Sequence, residues 1–121
     1  MAQAGPGELF ALTTPTLVVT LANMKAVELF RRRISYSETA FAELVLWQLS
    51  APLPGSTHSY RYRLAYVVDG VCVLRYDNES GKGDHKHFRD KETRYAFDTV
   101  EKLLASFQRD IERINREDSD S

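Results

Sequence analysis

The chain is 121 residues long, enough for one domain and too short for a second core of useful size. Its 43% hydrophobic and 27% charged residues describe an ordinary globular composition, and a single cysteine excludes an internal disulfide and any multi-cysteine zinc site. The net charge of −1 conceals an asymmetry: residues 24–97 carry 12 Lys/Arg against 9 Asp/Glu, a net of +3, and residues 98–121 carry 4 against 7, a net of −3.

Residues 1–16 are rich in Ala, Gly, Pro and Thr, and a weakly structured N-terminal extension is expected over 1–23. Met24 opens better-patterned sequence and fits a start codon; the alternative is that 17–21 packs as a short accessory strand or helix. No apolar run reaches the ~20 residues of a membrane span, and no Lys or Arg precedes Lys25, so a secretory signal is not expected. With the lone Cys72, this points to the cytoplasm.

Strands are expected over 29–36 and 39–49. The second alternates Phe41, Val45 and Trp47 with Ala40, Ala42, Leu44 and Leu46, which reads as a central strand covered on both faces, with Trp47 a core anchor. Pro52, Pro54 and Gly55 mark a loop, and His58 within it has no expected chemical role. Residues 59–78 read as a hairpin around Asp69-Gly70, a type I′ turn pair. A regular two-residue turn sets opposed residues to sum to 139, placing Tyr62 opposite Asp77, Leu64 opposite Arg75, and Val67 opposite a core Cys72. A fourth strand is expected at 85–88, and the charged stretch 89–97 is open to extending the sheet. A helix over 99–115 follows, N-capped by Asp98 with Glu101, its stripe formed by Val100, Leu103, Leu104, Phe107, Ile111 and Ile114. The expected fold is α+β: an antiparallel sheet of about four strands with the C-terminal helix packed on one face, one domain over 24–116 and a frayed polar tail over 117–121.

The chemistry concentrates between Tyr76 and His87. His85 and His87, two apart, lie on one face of a strand about 7 Å apart. Two imidazoles there can divide general base and general acid work in metal-independent RNA cleavage. Lys86 points to the other side of an ideal strand, whereas Arg75 and Lys82 are better placed to stabilise charge on phosphate. Asp77, Asp84, His85 and His87 are also acceptable metal ligands, and a third possibility is a plain solvated loop. Gly81-Lys82-Gly83 lacks the frame of a nucleotide-binding phosphate loop. Tyr60, Arg61, Tyr62 and Arg63 interleave aromatics and cations as a single-stranded RNA surface would, or as a strand packed under a helix would. Arg31-Arg32-Arg33 is either a solvated edge or an RNA contact.

The segments Tyr60-Arg61-Tyr62-Arg63-Leu64-Ala65-Tyr66, Leu74-Arg75-Tyr76-Asp77-Asn78 and Gly83-Asp84-His85-Lys86-His87, in that order, resemble the TumE family of toxins from type II toxin–antitoxin systems. The resemblance spans about 24–114. It implies a small cytoplasmic toxin neutralised by a cognate antitoxin, commonly a helix-turn-helix protein, with no membrane and no DNA contact by this chain alone. Arg63, Asp77, Asn78, His85, Lys86 and His87 are of the family type. Related sequences often carry a second His pair where this chain has Glu79, Ser80 and Gly81, a departure that weakens the metal alternative. The combined expectation is a metal-independent ribonuclease without cofactor. His85 and His87 act as acid and base in open order, Asp77 orients a histidine or an arginine, and Arg63, Arg75, Lys82, Lys86 and Tyr62 contact the RNA substrate. The alternatives are a metal-dependent nuclease and a non-enzymatic RNA- or protein-binding module. The acidic segment 98–121 is expected to mask the basic site or help an antitoxin dock.

Overall fold

A computed structural model describes residues 18–21 and 24–120. Seven strands run as one antiparallel meander in sequence order: β1 (Val18–Leu21), β2 (Met24–Ser35), β3 (Ala40–Leu49), β4 (Tyr60–Val68), β5 (Val71–Glu79), β6 (Gly83–Phe88) and β7 (Lys91–Arg94). One helix, α1 (Val100–Asp120), closes the chain. The α+β architecture with a single C-terminal helix is as expected, and the sheet is wider than four strands. Val18–Leu21 takes the accessory-strand alternative, pairing with 24–27, and the charged 91–94 stretch adds the last strand against β6. The expected looseness of residues 1–16 lies outside the described residues.

The core sits between the helix and one sheet face. Ala42, Leu44 and Leu46 of β3, Tyr62, Leu64 and Tyr66 of β4, and Leu74 and Tyr76 of β5 meet Leu103, Phe107, Ile111 and Ile114 of the helix. These even-numbered strand positions share a face because side chains alternate, and the helical positions form one stripe at the 3.6-residue period. One helix covers one face, so β3 is buried mainly on that side, with Leu49 at its end the exception. Phe41, Val45 and Trp47 on the other are half-buried, with the Arg33 guanidinium 3.7 Å above the Phe41 ring. Trp47 is therefore no core anchor; it flanks a small satellite cluster of Ala26, Leu49 and Leu53.

The hairpin turn is as expected, with Asp69 at φ 52° and Gly70 at φ 78°. Val68 pairs with Val71 and Val67 with Cys72, but Tyr66 pairs with Leu74. A β-bulge adds Val73 to the second strand and resets the sum from 139 to 140, so Arg63 faces Asp77, Ala65 faces Arg75, and Leu64 faces Tyr76. The expected pairs of Tyr62 with Asp77 and Leu64 with Arg75 are thereby replaced. The bulge also switches parity along β5, placing Tyr76 under the helix and Arg75 and Asp77 on the open face. Cys72, on the turn side of the bulge, is exposed instead of buried.

Thr99, not Asp98, caps the helix: its hydroxyl accepts the Lys102 amide at 3.1 Å, while Asp98 pairs with the Lys102 ammonium at 2.7 Å. The helix runs five residues beyond its expected end. Arg113, one turn earlier, and Arg89 both reach Glu117 there. Because α1 packs on the face opposite Arg75 and the two histidines, it does not mask them.

Candidate functional site

The odd-numbered positions of β3 to β6 form the open face of the sheet, and the register lays them out in cross-strand rows. One row runs Arg31, Val45, Arg63, Asp77, His85, Arg94; its neighbour runs Arg33, Glu43, Ala65, Arg75, His87, Glu92. Residues far apart in sequence become neighbours at strand spacing, about 4.8 Å.

Both histidines lie on this face, as their spacing requires. Glu92, from the last strand, sits between them: its Oε2 is 3.4 Å from His85 Nδ1 and 3.3 Å from His87 Nε2. Arg75 Nη2 lies 2.9 Å from His87 Nε2. A guanidinium can only donate, so the Arg75 contact favours a bare ring nitrogen, whereas Glu92 Oε2, 3.3 Å from the same nitrogen, favours one that carries a proton. His85 Nε2 lies 2.7 Å from the Lys82 carbonyl oxygen, which can only accept, so here the ring nitrogen carries the proton. The two rings thus meet different neighbours, a carbonyl oxygen at His85 and a guanidinium at His87. Behind them Asp77 is nearly buried, and its Oδ2 lies 3.2 Å from Arg75 Nε. That Nε is buried without a hydrogen bond, so the contact is an ion pair of poor angle.

The structure therefore brings together His85, His87, Asp77, Arg75 and, one strand away, the exposed Arg63. Lys82 stands at the exposed turn beside His85. Two other candidate contacts are on the helix side. Lys86 reaches Asp110 of the helix at 2.6 Å, and Tyr62, 1% exposed, donates its hydroxyl to Asp84 at 2.6 Å. Asp84 is on that side too, so the carboxylates and imidazoles weighed as metal ligands are divided between two faces. Among the described residues, no group of three or more His, Cys, Asp or Glu side chains is arranged to hold a metal ion.

Glu92 was not legible beforehand. It meets the histidines only because Arg89, at φ 56°, opens a tight turn that folds β7 back onto β6. The nearest signal was the short spacing between His87 and the charged segment after Phe88. His58 is also more than a loop residue. Its ring stacks on Phe97 at 3.9 Å, its Nε2 meets Asp84 at 2.8 Å, and its Nδ1 accepts the Tyr60 amide. With both ring nitrogens engaged, it braces the 50–59 loop against β6. Burial, then the hydrogen bond to Asp84, holds the Tyr62 phenol well above the usual tyrosine range.

Among the described residues, no helix is long and apolar enough to cross a membrane. A protein-family model described as Toxin TumE matches residues 16–115. No curated protein and no solved structure matches the chain.

Proposed function

The chain belongs to the TumE family of toxins, and from that premise we propose that it acts as a metal-independent ribonuclease whose acid and base are His85 and His87. The observation that carries this reading is the Glu92 carboxylate held 3.4 and 3.3 Å from the two rings on an arginine-bearing open face. Paired imidazoles beside a guanidinium are the groups that cleavage by an internal 2′-hydroxyl requires.

The different neighbours of the two rings support an assignment. His87, with Nε2 beside the Arg75 guanidinium, acts as the base and takes the proton of the 2′-hydroxyl once phosphate draws the guanidinium away. The 2′-oxygen bonds to phosphorus. The P–O5′ bond breaks as His85, with one ring nitrogen on a carbonyl and the other facing Glu92, gives a proton to the departing oxygen. The products are a 2′,3′-cyclic phosphate and a 5′-hydroxyl, and no further reactant is consumed. Arg75 stabilises the phosphorane charge, and Asp77 holds Arg75. As a toxin of a toxin–antitoxin pair, the chain has an antitoxin partner, for which a helix-turn-helix protein is the family's usual form.

Substitution His87→Ala is expected to abolish toxicity on expression while leaving the thermal midpoint and affinity for an RNA oligonucleotide close to wild type. Toxicity that survives both His85→Ala and His87→Ala would refute the acid–base reading and favour a binding module.

A further inference from the structure

A groove of about 400 Å³ lies on the same open face at the opposite end of the sheet, lined by Arg31, Arg32, Arg33, Glu43, Val45 and Arg63. Arg31, Arg33 and Arg63 stand on the open face there, with Arg32 on the alternate side of β2, and two glutamates, Glu28 and Glu43, meet them in a protein whose overall charge is −1. Two of the arginines are held in place. Glu28, itself buried, takes the Arg31 Nε at 2.9 Å, which fixes that side chain while its terminal nitrogens stand in solvent. Arg33 lies over the Phe41 ring and 3.5 Å from Glu43. Arg63 is exposed and has no ion-pair or hydrogen-bond partner among the described residues.

Glu28 and Glu43 offset the charges of Arg31 and Arg33, and Arg63, with no counterion among the described residues, leaves a local excess of positive charge that a ligand of opposite sign would meet. The cross-strand row supplies the direction: from Arg31 over Val45 to Arg63, then past Asp77 to His85. From β2 to β6 it spans four strand spacings, roughly 19 Å. Half-buried Val45 gives an apolar floor between two cations, which suits a ribose or base with phosphate on either side.

We propose that this groove is an upstream or downstream phosphate track, binding several nucleotides of single-stranded RNA remote from the bond that is cut. The inference rests on the ribonuclease reading for what lies at the far end of the row, and names a substrate class: an extended, unpaired strand rather than a dinucleotide or a compact duplex end. An acidic protein segment is the competing occupant.

The test is fluorescence anisotropy of a labelled 2′-O-methyl octaribonucleotide, which cannot be cleaved, across a salt series with the full chain. Each phosphate contact in a single strand contributes ~0.7 to the slope of log affinity against log salt. The Arg31→Ala/Arg33→Ala variant is expected to bind at least tenfold more weakly at low salt and to lose roughly 1.4 from that slope, two contacts' worth. Arg31→Lys/Arg33→Lys keeps both charges and is expected to keep the slope, which separates a lost contact from a damaged fold. An unchanged slope in the alanine variant overturns the proposal. So does a wild-type chain that fails to bind the oligonucleotide while an acidic antitoxin loses affinity for the alanine variant. Cleavage is read separately: RNA cut with an unchanged salt slope defeats the track and spares the histidines, and binding without cleavage does the reverse.

Discussion

Two carboxylates, buried Asp110 and half-buried Asp84, organise the polar part of the core. Asp84 takes the Tyr62 hydroxyl and His58, and Asp110 takes the Tyr76 hydroxyl and Lys86, whose ammonium also lies 5.5 Å from the Tyr76 ring centre. Burying an acid is tolerated where its oxygens are met by donors, and each of these has two. The same contacts hold both phenols neutral: burial first, then the hydrogen bond to a carboxylate, raises Tyr62 and Tyr76 far above the ordinary tyrosine value. The consequence for stability has a definite sign. Above pH ~10 the unfolded chain releases these protons and the folded chain keeps them, so the unfolded state gains. Stability is expected to be insensitive to these two groups below pH ~10 and to fall above it by about 1.4 kcal/mol per pH unit for each. Urea titrations between pH 8 and about 11.5 check this. The Tyr62→Phe/Tyr76→Phe variant is expected to show a clearly shallower decline, and an equal decline would show that other groups carry it.

At the level of elements, the bulge and the helix cap decide where side chains end up. The Asp69-Gly70 turn was readable because two positive-φ residues in sequence leave few alternatives. The bulge five residues after the turn begins was not. Its cause is nonlocal: Leu74 and Tyr76 both belong under the helix, and only an extra residue at Val73 brings them there while Val67 and Cys72 stay paired. Local sequence offers either parity; the helix stripe selects one, and Arg75 and Asp77 reach the open face as a result. The cap failed for a subtler reason. Asp98 and Thr99 are both good capping residues one position apart, and the choice depends on where the apolar stripe must meet the sheet. Thr99→Ala is expected to lower unfolding free energy by about 1 kcal/mol, and Asp98→Ala to lower it less, by chemical denaturation. A larger loss at Asp98 would return the cap to that residue. The stretch 89–97 was open to extending the sheet, but the strand Lys91–Arg94 could not be bounded within it because all four residues are exposed and no burial pattern marks it.

Across the whole molecule, the sheet divides labour between its faces. The helix seals one face with apolar contacts, leaving the other to carry arginines, acids and both site histidines in ordered rows. The histidine pair was legible because a spacing of two places side chains on the same face of any strand. Glu92 and the groove were not, since both depend on the register of β7 on β6 and of β2 on β3, which adjacency in the chain does not set. Lys86 and Tyr62 show the limit of a cluster read along the chain, for alternation sends neighbours of a site residue to the opposite face. The claim on which the rest depends is that the open face cuts RNA with two histidines and no metal. Incubating the purified full chain with total cellular RNA, with and without EDTA, beside the His85→Ala/His87→Ala variant tests it most directly. Cleavage that persists in EDTA and vanishes in the double variant is the expected result. Cleavage lost to EDTA, or RNA left intact by the wild-type chain, would contradict it.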